Sequence, residues 1–408
     1  MPGPPRWRGA ALNHAITANK ISAATLNDRV RAVLKLVQKA AKSGVPDHAP
    51  ETQLDRPEDR NLLRKIAGEA IVLLKNDGSV LPFNKEKKIA VIGPNAKIAT
   101  YCGGGSAALN PYRAVTPYDG LSEAAQGGIE FSQGIYGHQM LPLLGTQLQT
   151  EDGTVGFSLK IFNEPPTAAS RKVLEERKET DSMMFFMDYT HPELQPTWYA
   201  DAEGYFIPDS SGVYDFGLTV NGTGRMFMDG ELVINNADVQ RPGTSFFGNG
   251  TVEEIVSLSL EAGRKYKILT QWGCGKTSTF KVPGVVDFGH GGFRFGACKQ
   301  LSPEEGIAEA AQVASNVDQV VLFAGLSSEW ESEGEDRATM KLPPHTDELI
   351  SRVLESNKNT VVVVQSGTPV EMPWIDNAKA VLHAWYGGNE TGHAISDVLL
   401  GDVNPVRL

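Results

Sequence analysis

From Ile21 onward the apolar positions Leu26, Val30, Val33, Leu34 and Val37 fall three and four residues apart. That spacing predicts an amphipathic helix, with Ser22 as its N-cap and Gly44 followed by Pro46 as its stop. A polar linker over 46–52 leads to a second helix from about Asp55, with Pro57 in its first turn and Leu62, Leu63, Ile66 and Ala70 as its stripe. Next come short continuous apolar runs over 88–93, 319–324, 360–365 and 380–385. Runs of this kind read as strands buried on both faces. Helices are expected over 303–313 and 347–356, so four parallel strands alternate with helices in a doubly wound α/β layer.

Between the first of those strands and the other three the period changes. From about Ile135 to Cys298 the chain alternates apolar and polar residues, as over 212–220 and 225–234, with Gly, Asn and Asp at the breaks. Asp229-Gly230 between apolar runs is a hairpin signal. Further strands are expected at 155–162, 183–189, 255–260 and 266–272. This stretch reads as an all-β sandwich or barrel that interrupts the α/β layer.

The strand over 319–324 breaks at Gly325 into a loop holding five acids, Glu329, Glu331, Glu333, Glu335 and Asp336, and closing on Arg337. In an open α/β sheet the loops at the carboxyl ends of strands line the ligand crevice. Carboxylates concentrated there suit proton transfer or the binding of a cation or polyol; a solvated acidic loop is the plain alternative. Trp330 among the acids and Gly334 behind them point to a shaped loop. Cys102-Gly-Gly-Gly-Ser106 lacks the spacing of a phosphate loop and reads as a place where backbone approaches something closely.

Composition changes the picture little. At 408 residues, 41% hydrophobic and 21% charged, the chain is ordinary for a globular protein of two or three domains. A net charge of −11 disfavours nucleic acid and anionic membranes as partners, and no apolar run is long enough to cross a bilayer. Cys102, Cys274 and Cys298 show no zinc-site spacing, while a Cys274–Cys298 bridge stays open. Asn221, Asn249 and Asn389 begin N-x-Thr sequons. No signal peptide opens the chain, and both ends read as cut from something longer.

Several ordered motifs together resemble the β-glucosidases of glycoside hydrolase family 3. They are Met1-Pro-Gly-Pro-Pro-Arg-Trp-Arg8, Ala70-Ile-Val-Leu-Leu-Lys-Asn-Asp-Gly78, Ile92-Gly-Pro-Asn95, Gly103-Gly-Gly-Ser106 and Trp330-Glu-Ser-Glu-Gly-Glu-Asp-Arg337. Gly204-Tyr-Phe, Ser211-Gly-Val-Tyr-Asp-Phe216 and Met228-Asp-Gly230 are similar to the protective-antigen-type β domain that a subset of these enzymes carries. The resemblance implies a barrel remnant and linker over 1–50, a discontinuous α/β sandwich domain over 51–134 and 299–408, and the β insert over 135–298.

It also implies a retaining hydrolase of terminal β-D-glucosyl residues with no cofactor or metal. Its TIM-type barrel supplies a nucleophilic Asp from a Ser-Asp-Trp motif that this chain does not contain, so the chain alone is expected to be inactive. The family's Glu-Gly-x-Asp-Arg pattern places the acid/base on Glu333, with Glu331 as rival. Trp330 is a candidate to face a sugar ring, or to pack beneath its own loop. Phe246 or Phe247 is a candidate to lean over the mouth of the site, with core packing as the alternative. Arg337 is expected to pair with Asp336. The partner is a β-glucoside or oligosaccharide; the family favours secretion, with the cytoplasm as the alternative, and oligomerisation and a preference for xylosides stay open. A carbohydrate-binding protein that uses only the β insert is the competing class.

Overall fold

The computed structural model describes residues 8–46, 50, 52–109, 111–286, 289–333 and 336–407. Most of the Pro-rich start, together with Gly334 and Glu335 of the acidic loop, lies outside them. The chain forms two compact units, Met1–Asp55 and Arg56–Leu408. The first holds α1 (Ala10–Thr17) and α2 (Ala23–Ala41). The Ser22 hydroxyl caps α2 by accepting from Thr25 N–H at 3.1 Å, as its sequence position predicts.

The second unit opens with α3 (Pro57–Ala70), β1 (Val72–Asn76), β2 (Ile89–Ile92), α4 (Pro117–Ala124) and β3 (Ile129–Ser132). A long all-β excursion follows: β4 (Leu148–Gln149), β5 (Phe157–Phe162), β6 (Val173–Glu179), β7 (Met183–Phe185), β8 (Tyr199–Phe206) and β9 (Gly212–Asn221). It continues through β10 (Thr223–Met228), β11 (Glu231–Asn236), β12 (Glu254–Leu260), β13 (Tyr266–Gly273) and β14 (Gly292–Lys299). The chain then returns with α5 (Pro303–Ser315), β15 (Gln319–Gly325), α6 (Thr346–Ser356), β16 (Thr360–Gln365), β17 (Ala380–His383), α7 (Thr391–Leu399) and β18 (Val406–Arg407).

The first sheet runs β18-β1-β17-β16-β15-β2-β3. Its members β3, β2, β15, β16 and β17 are parallel neighbours, while β1 is antiparallel to β17. Numbered along the chain, the parallel strands stand in the order 2-1-3-4-5, the flavodoxin-like winding whose direction reverses between its first and third strands. Here that point lies between β2 and β15, so the loop leaving β15 borders the crevice. Side chains alternate between two cores. Val320, Leu322, Val362 and Val364 meet α5 and α6 through Ile307, Ala310, Leu349 and Val353. Val321, Phe323, Val361 and Val363 meet Leu121 of α4 and Ile395 and Val398 of α7.

The excursion makes two antiparallel sheets, β11-β10-β13-β8-β5-β6 and β12-β9-β14-β7. One aromatic core lies between them: Phe186 stacks on Trp272 at 5.0 Å and meets the edge of Trp198 at 5.1 Å. Both tryptophans and Phe216, Phe293 and Phe295 are buried. The hairpin between β10 and β11 turns at Asp229 and Gly230, both at positive φ (51° and 89°), as the Asp-Gly pair requires. All three cysteines are free thiols, so Cys274 and Cys298 are not bridged.

The segment after β3 and the end of β14 lie side by side where the chain leaves and rejoins the α/β layer. Leu143 pairs with Gly296. Ala297 N–H donates to Pro142 O at 2.9 Å, and the Tyr136 hydroxyl donates to Lys299 O at 2.9 Å.

Candidate functional site

β15 ends where Leu326 N–H donates to Gln365 O at 2.8 Å, and the chain then curls outward. The N–H groups of Trp330 and Glu331 close a turn onto Ser327 O at 2.9 and 3.0 Å. That turn sends alternate acids in different directions. Glu331 folds inward and is only 9% exposed. Its Oε2 accepts from Gly367 N–H at 2.7 Å and from the Tyr386 hydroxyl.

Burial pushes the Glu331 carboxyl up, but hydrogen bonds from Thr368, Tyr386 and the Gly367 N–H outweigh it and hold the group below the usual carboxylate range. The same contact raises the Tyr386 phenol, first through its own burial and then through Glu331. Glu331 is therefore an ionised anchor that ties the loop after β15 to the loops after β16 and β17. Beside it, burial lowers the His383 imidazole against the pull of Glu331.

Glu333, by contrast, is exposed. Its backbone rests on the Gly-rich stretch: Glu333 N–H donates to Gly104 O at 3.4 Å, while Gly104 N–H donates to Glu331 O at 3.0 Å. Gly104 and Ser332 thus form a parallel bridge. A Cβ on Gly104 would lie 2.5 Å from Ser328 O. This is the close backbone approach that the glycines imply.

Arg337 does not pair with Asp336. Its guanidinium reaches Pro369 O at 2.6 Å, Thr368 Oγ1 at 3.0 Å and Lys341 O at 3.3 Å. The fork of Arg donors is better filled by oxygens converging from two loops than by one exposed neighbour. Trp330 is half-buried, with its indole N–H donating to Gly137 O at 2.6 Å. A cavity of about 490 Å³ opens beside it, bordered by Gln139, Glu329, Trp330, Lys341 and Pro344. Its size falls within the range of small-molecule sites.

The two adjacent phenylalanines part company. Phe246 is 5% exposed and lies 5.4 Å from Phe185, whereas Phe247 is 64% exposed. Both hold positive φ, so the loop is tightly coiled and presents one ring inward and one outward. Ser245 beside them touches Met140, which places this loop next to the acidic one. The sequon residues are engaged in the fold. Asn221 is buried, Asn249 donates to Val286 O at 2.8 Å, and Thr251 and Thr391 are buried. Among the described residues no group of three or more His, Cys, Asp and Glu side chains is arranged to hold a metal.

The sequence points to the acidic loop and to Trp330 at the exit of β15, but not to Gly367, Thr368 and Tyr386, which meet Glu331. The signals for their positions are Gly367-Thr368-Pro369 and Gly387-Gly388, which mark the exits of the neighbouring strands.

Residues 71–407 match the model of the glycosyl hydrolase family 3 C-terminal domain. A protein of Aspergillus niger named probable beta-glucosidase I is 54% identical over 407 residues, covering 99% of this chain and 50% of that protein. The beta-glucosidase of Kluyveromyces marxianus, solved in complex with glucose, is 39% identical with a TM-score of 0.87, covering 99% of this chain and 49% of that one. A beta-glucosidase from Streptomyces venezuelae shares the fold at 24% identity and a TM-score of 0.53, over 97% of this chain and 44% of its own. The chain spans about half the length of the curated relatives it matches.

Proposed function

The chain belongs to the glycosyl hydrolase family 3 C-terminal domain family, and from that premise we propose that it is the proton-donating half of a retaining β-glucosidase. Glu333 is the acid/base. A retaining glycosidase sets two carboxyl groups about 5 Å apart; one attacks the anomeric carbon and the other protonates the departing oxygen, then activates water. The proton donor must be kept un-ionised until use, which calls for desolvation or a neighbouring negative charge. Glu331 is poorly suited, because the hydrogen bonds it accepts stabilise the charged form. Glu333 is exposed, and a covering surface bearing the nucleophile would desolvate it. The observation that carries the reading is this division of labour between two acids of one turn.

The remaining parts follow. The missing nucleophile belongs to the half of the relatives that this chain does not match, a TIM-type barrel of which residues 1–50 are the remnant. Residues 51–134 and 299–408 form the α/β sandwich domain, and 135–298 are a protective-antigen-type insert. The insert's exposed Phe247 contacts the aglycone, Phe246 supports it from the core, and Trp330 borders the sugar cleft. The substrate is a terminal β-glucoside such as cellobiose.

The test uses a fusion of this chain to the unmatched half of its Aspergillus relative. In Glu333→Gln, added azide should restore turnover of dinitrophenyl β-glucoside and yield β-glucosyl azide, because azide attacks the glycosyl-enzyme where no base is needed. In Glu331→Gln azide should do nothing. The reverse result would move the role to Glu331, and rescue in neither would remove the acid/base from this loop.

A further inference from the structure

One cation sits where the β sandwich joins the α/β layer. Arg294 of β14 is 5% exposed. Its Nη1 donates to Glu253 Oε1 at 3.0 Å, and its Nη2 donates to Leu141 O at 2.7 Å and to Glu329 Oε1 at 3.3 Å. Glu253 lies just before β12, so it and Arg294 both belong to the sandwich. Glu329 belongs to the acidic loop, one turn ahead of Glu333. The other oxygen of Glu329 accepts from Gln139 N–H at 2.8 Å and Met140 N–H at 3.4 Å, and that of Glu253 accepts from Leu141 N–H at 3.0 Å.

Charge bookkeeping separates two explanations for this cluster. A buried guanidinium needs a carboxylate partner, and Glu253 already supplies one from within the sandwich. Burial pushes the Glu253 carboxyl up in spite of the arginine, and the nearby Glu329 charge adds to that push. The second carboxylate costs repulsion against Glu253. What it adds is a bond between the sandwich and the loop. The indole N–H of Trp330, the next residue, ties the loop to the segment after β3 through Gly137 O.

We propose that Arg294 is a positioning residue for proton donation: by holding Glu329 it fixes the loop that carries Glu333, so the β sandwich helps aim the acid as well as shaping the approach to it. The inference rests on the reading of Glu333 as the acid. Misplacing a catalytic group by about 1 Å lowers rates as much as 100-fold, which sets the expected size of the effect.

Two measurements test it on Glu329→Ala and Arg294→Met. Arg171→Met is the control, since it breaks another partly buried ion pair of the sandwich, to Asp201 at 2.5 Å. In the 408-residue chain, amide exchange over 327–333 should speed up at least about tenfold in both variants and stay unchanged in the control. In the two-half fusion, kcat/KM on cellobiose relative to dinitrophenyl β-glucoside should fall about 10- to 100-fold. A poor leaving group needs the proton and a good one does not, whereas loss of folded protein lowers both alike. Glu329 is on the loop, so its variant leaves the sandwich intact should Arg294→Met fail to fold. Unchanged loop exchange in Glu329→Ala, or both substrates falling together, would overturn the proposal. Should Glu333→Gln itself leave that ratio unmoved, the assignment of the acid fails instead, while the exchange data still decide whether Arg294 grips the loop.

Discussion

A Cβ placed on Gly105 would lie 2.5 Å from the Cβ of Glu333. The two residues meet because the loop after β2 and the loop after β15 leave neighbouring parallel strands and converge over the point where the sheet's winding reverses. Gly105 also holds φ at +79°, where an L side chain is strained. Sequence-distant glycine backbone is thus the bed on which the proposed acid rests.

Gly105→Ala should therefore destabilise the loop by about 1–3 kcal/mol through strain and contact together. Amide exchange over 327–333 should rise while the melting temperature of the β sandwich stays put. A substitution that leaves loop exchange at the wild-type rate would show that Glu333 does not depend on this bed.

Glu331 predicts a pH dependence whose sign follows from its depressed carboxyl. A group with a lowered folded pKa stabilises the fold above its unfolded pKa, and the contribution is lost as pH falls through the folded value. Loop opening, read as exchange corrected for the intrinsic amide rate at each pH, should thus be rare near neutrality and more frequent in acid. Glu331→Gln should open often at both ends. Tyr386→Phe, which removes a hydrogen bond to a charged group, should cost about 1.5–3 kcal/mol. Urea melts of the three proteins at pH 7 and pH 3 read this out.

The two rings of the 246–247 pair should behave oppositely. Phe246→Ala empties a buried site against Phe185 and should cost about 3–5 kcal/mol. Phe247→Ala should change stability by less than about 0.5 kcal/mol, yet raise KM for disaccharides in the two-half fusion. Unchanged kinetics on disaccharides would dismiss Phe247 from the aglycone site.

Much of this architecture is legible in the sequence because buried parallel strands are continuous apolar runs. Val361 to Val364, four β-branched residues in a row, read as a buried strand, and Asp229-Gly230 fixes its hairpin. The elements that escape are those whose pattern is not apolar. β6 reads Val-Leu-Glu-Glu-Arg-Lys-Glu and is an edge strand guarded by charge, with Arg177 against Glu179. β8 alternates inward Ala200 and Ala202 with polar residues, and small side chains give a faint signal. β3 is short and holds Glu130 against Lys88. The acidic loop is visible, but which of its acids turns inward depends on Tyr386 and Gly367, far along the chain, and on the turn closed at Ser327. Pairing Arg337 with Asp336 fails for a related reason: local opposite charges lose to carbonyls brought in by tertiary structure.

The chain by itself should not release nitrophenol from an aryl β-glucoside above the uncatalysed rate. Proton donation without a nucleophile does not open the retaining route. Sustained turnover by these 408 residues alone would contradict the proposed division into halves.

The most direct measurement is the dependence of kcat/KM on leaving-group acidity for a series of aryl β-glucosides, compared between the two-half fusion and its Glu333→Gln variant. If Glu333 gives its proton to the departing oxygen, the variant loses about 100- to 10,000-fold on the least acidic phenols and little on dinitrophenol, so its plot is steep where the parent's is nearly flat. Parallel plots, with the variant lowered equally on every substrate or not at all, would show that the proton comes from elsewhere.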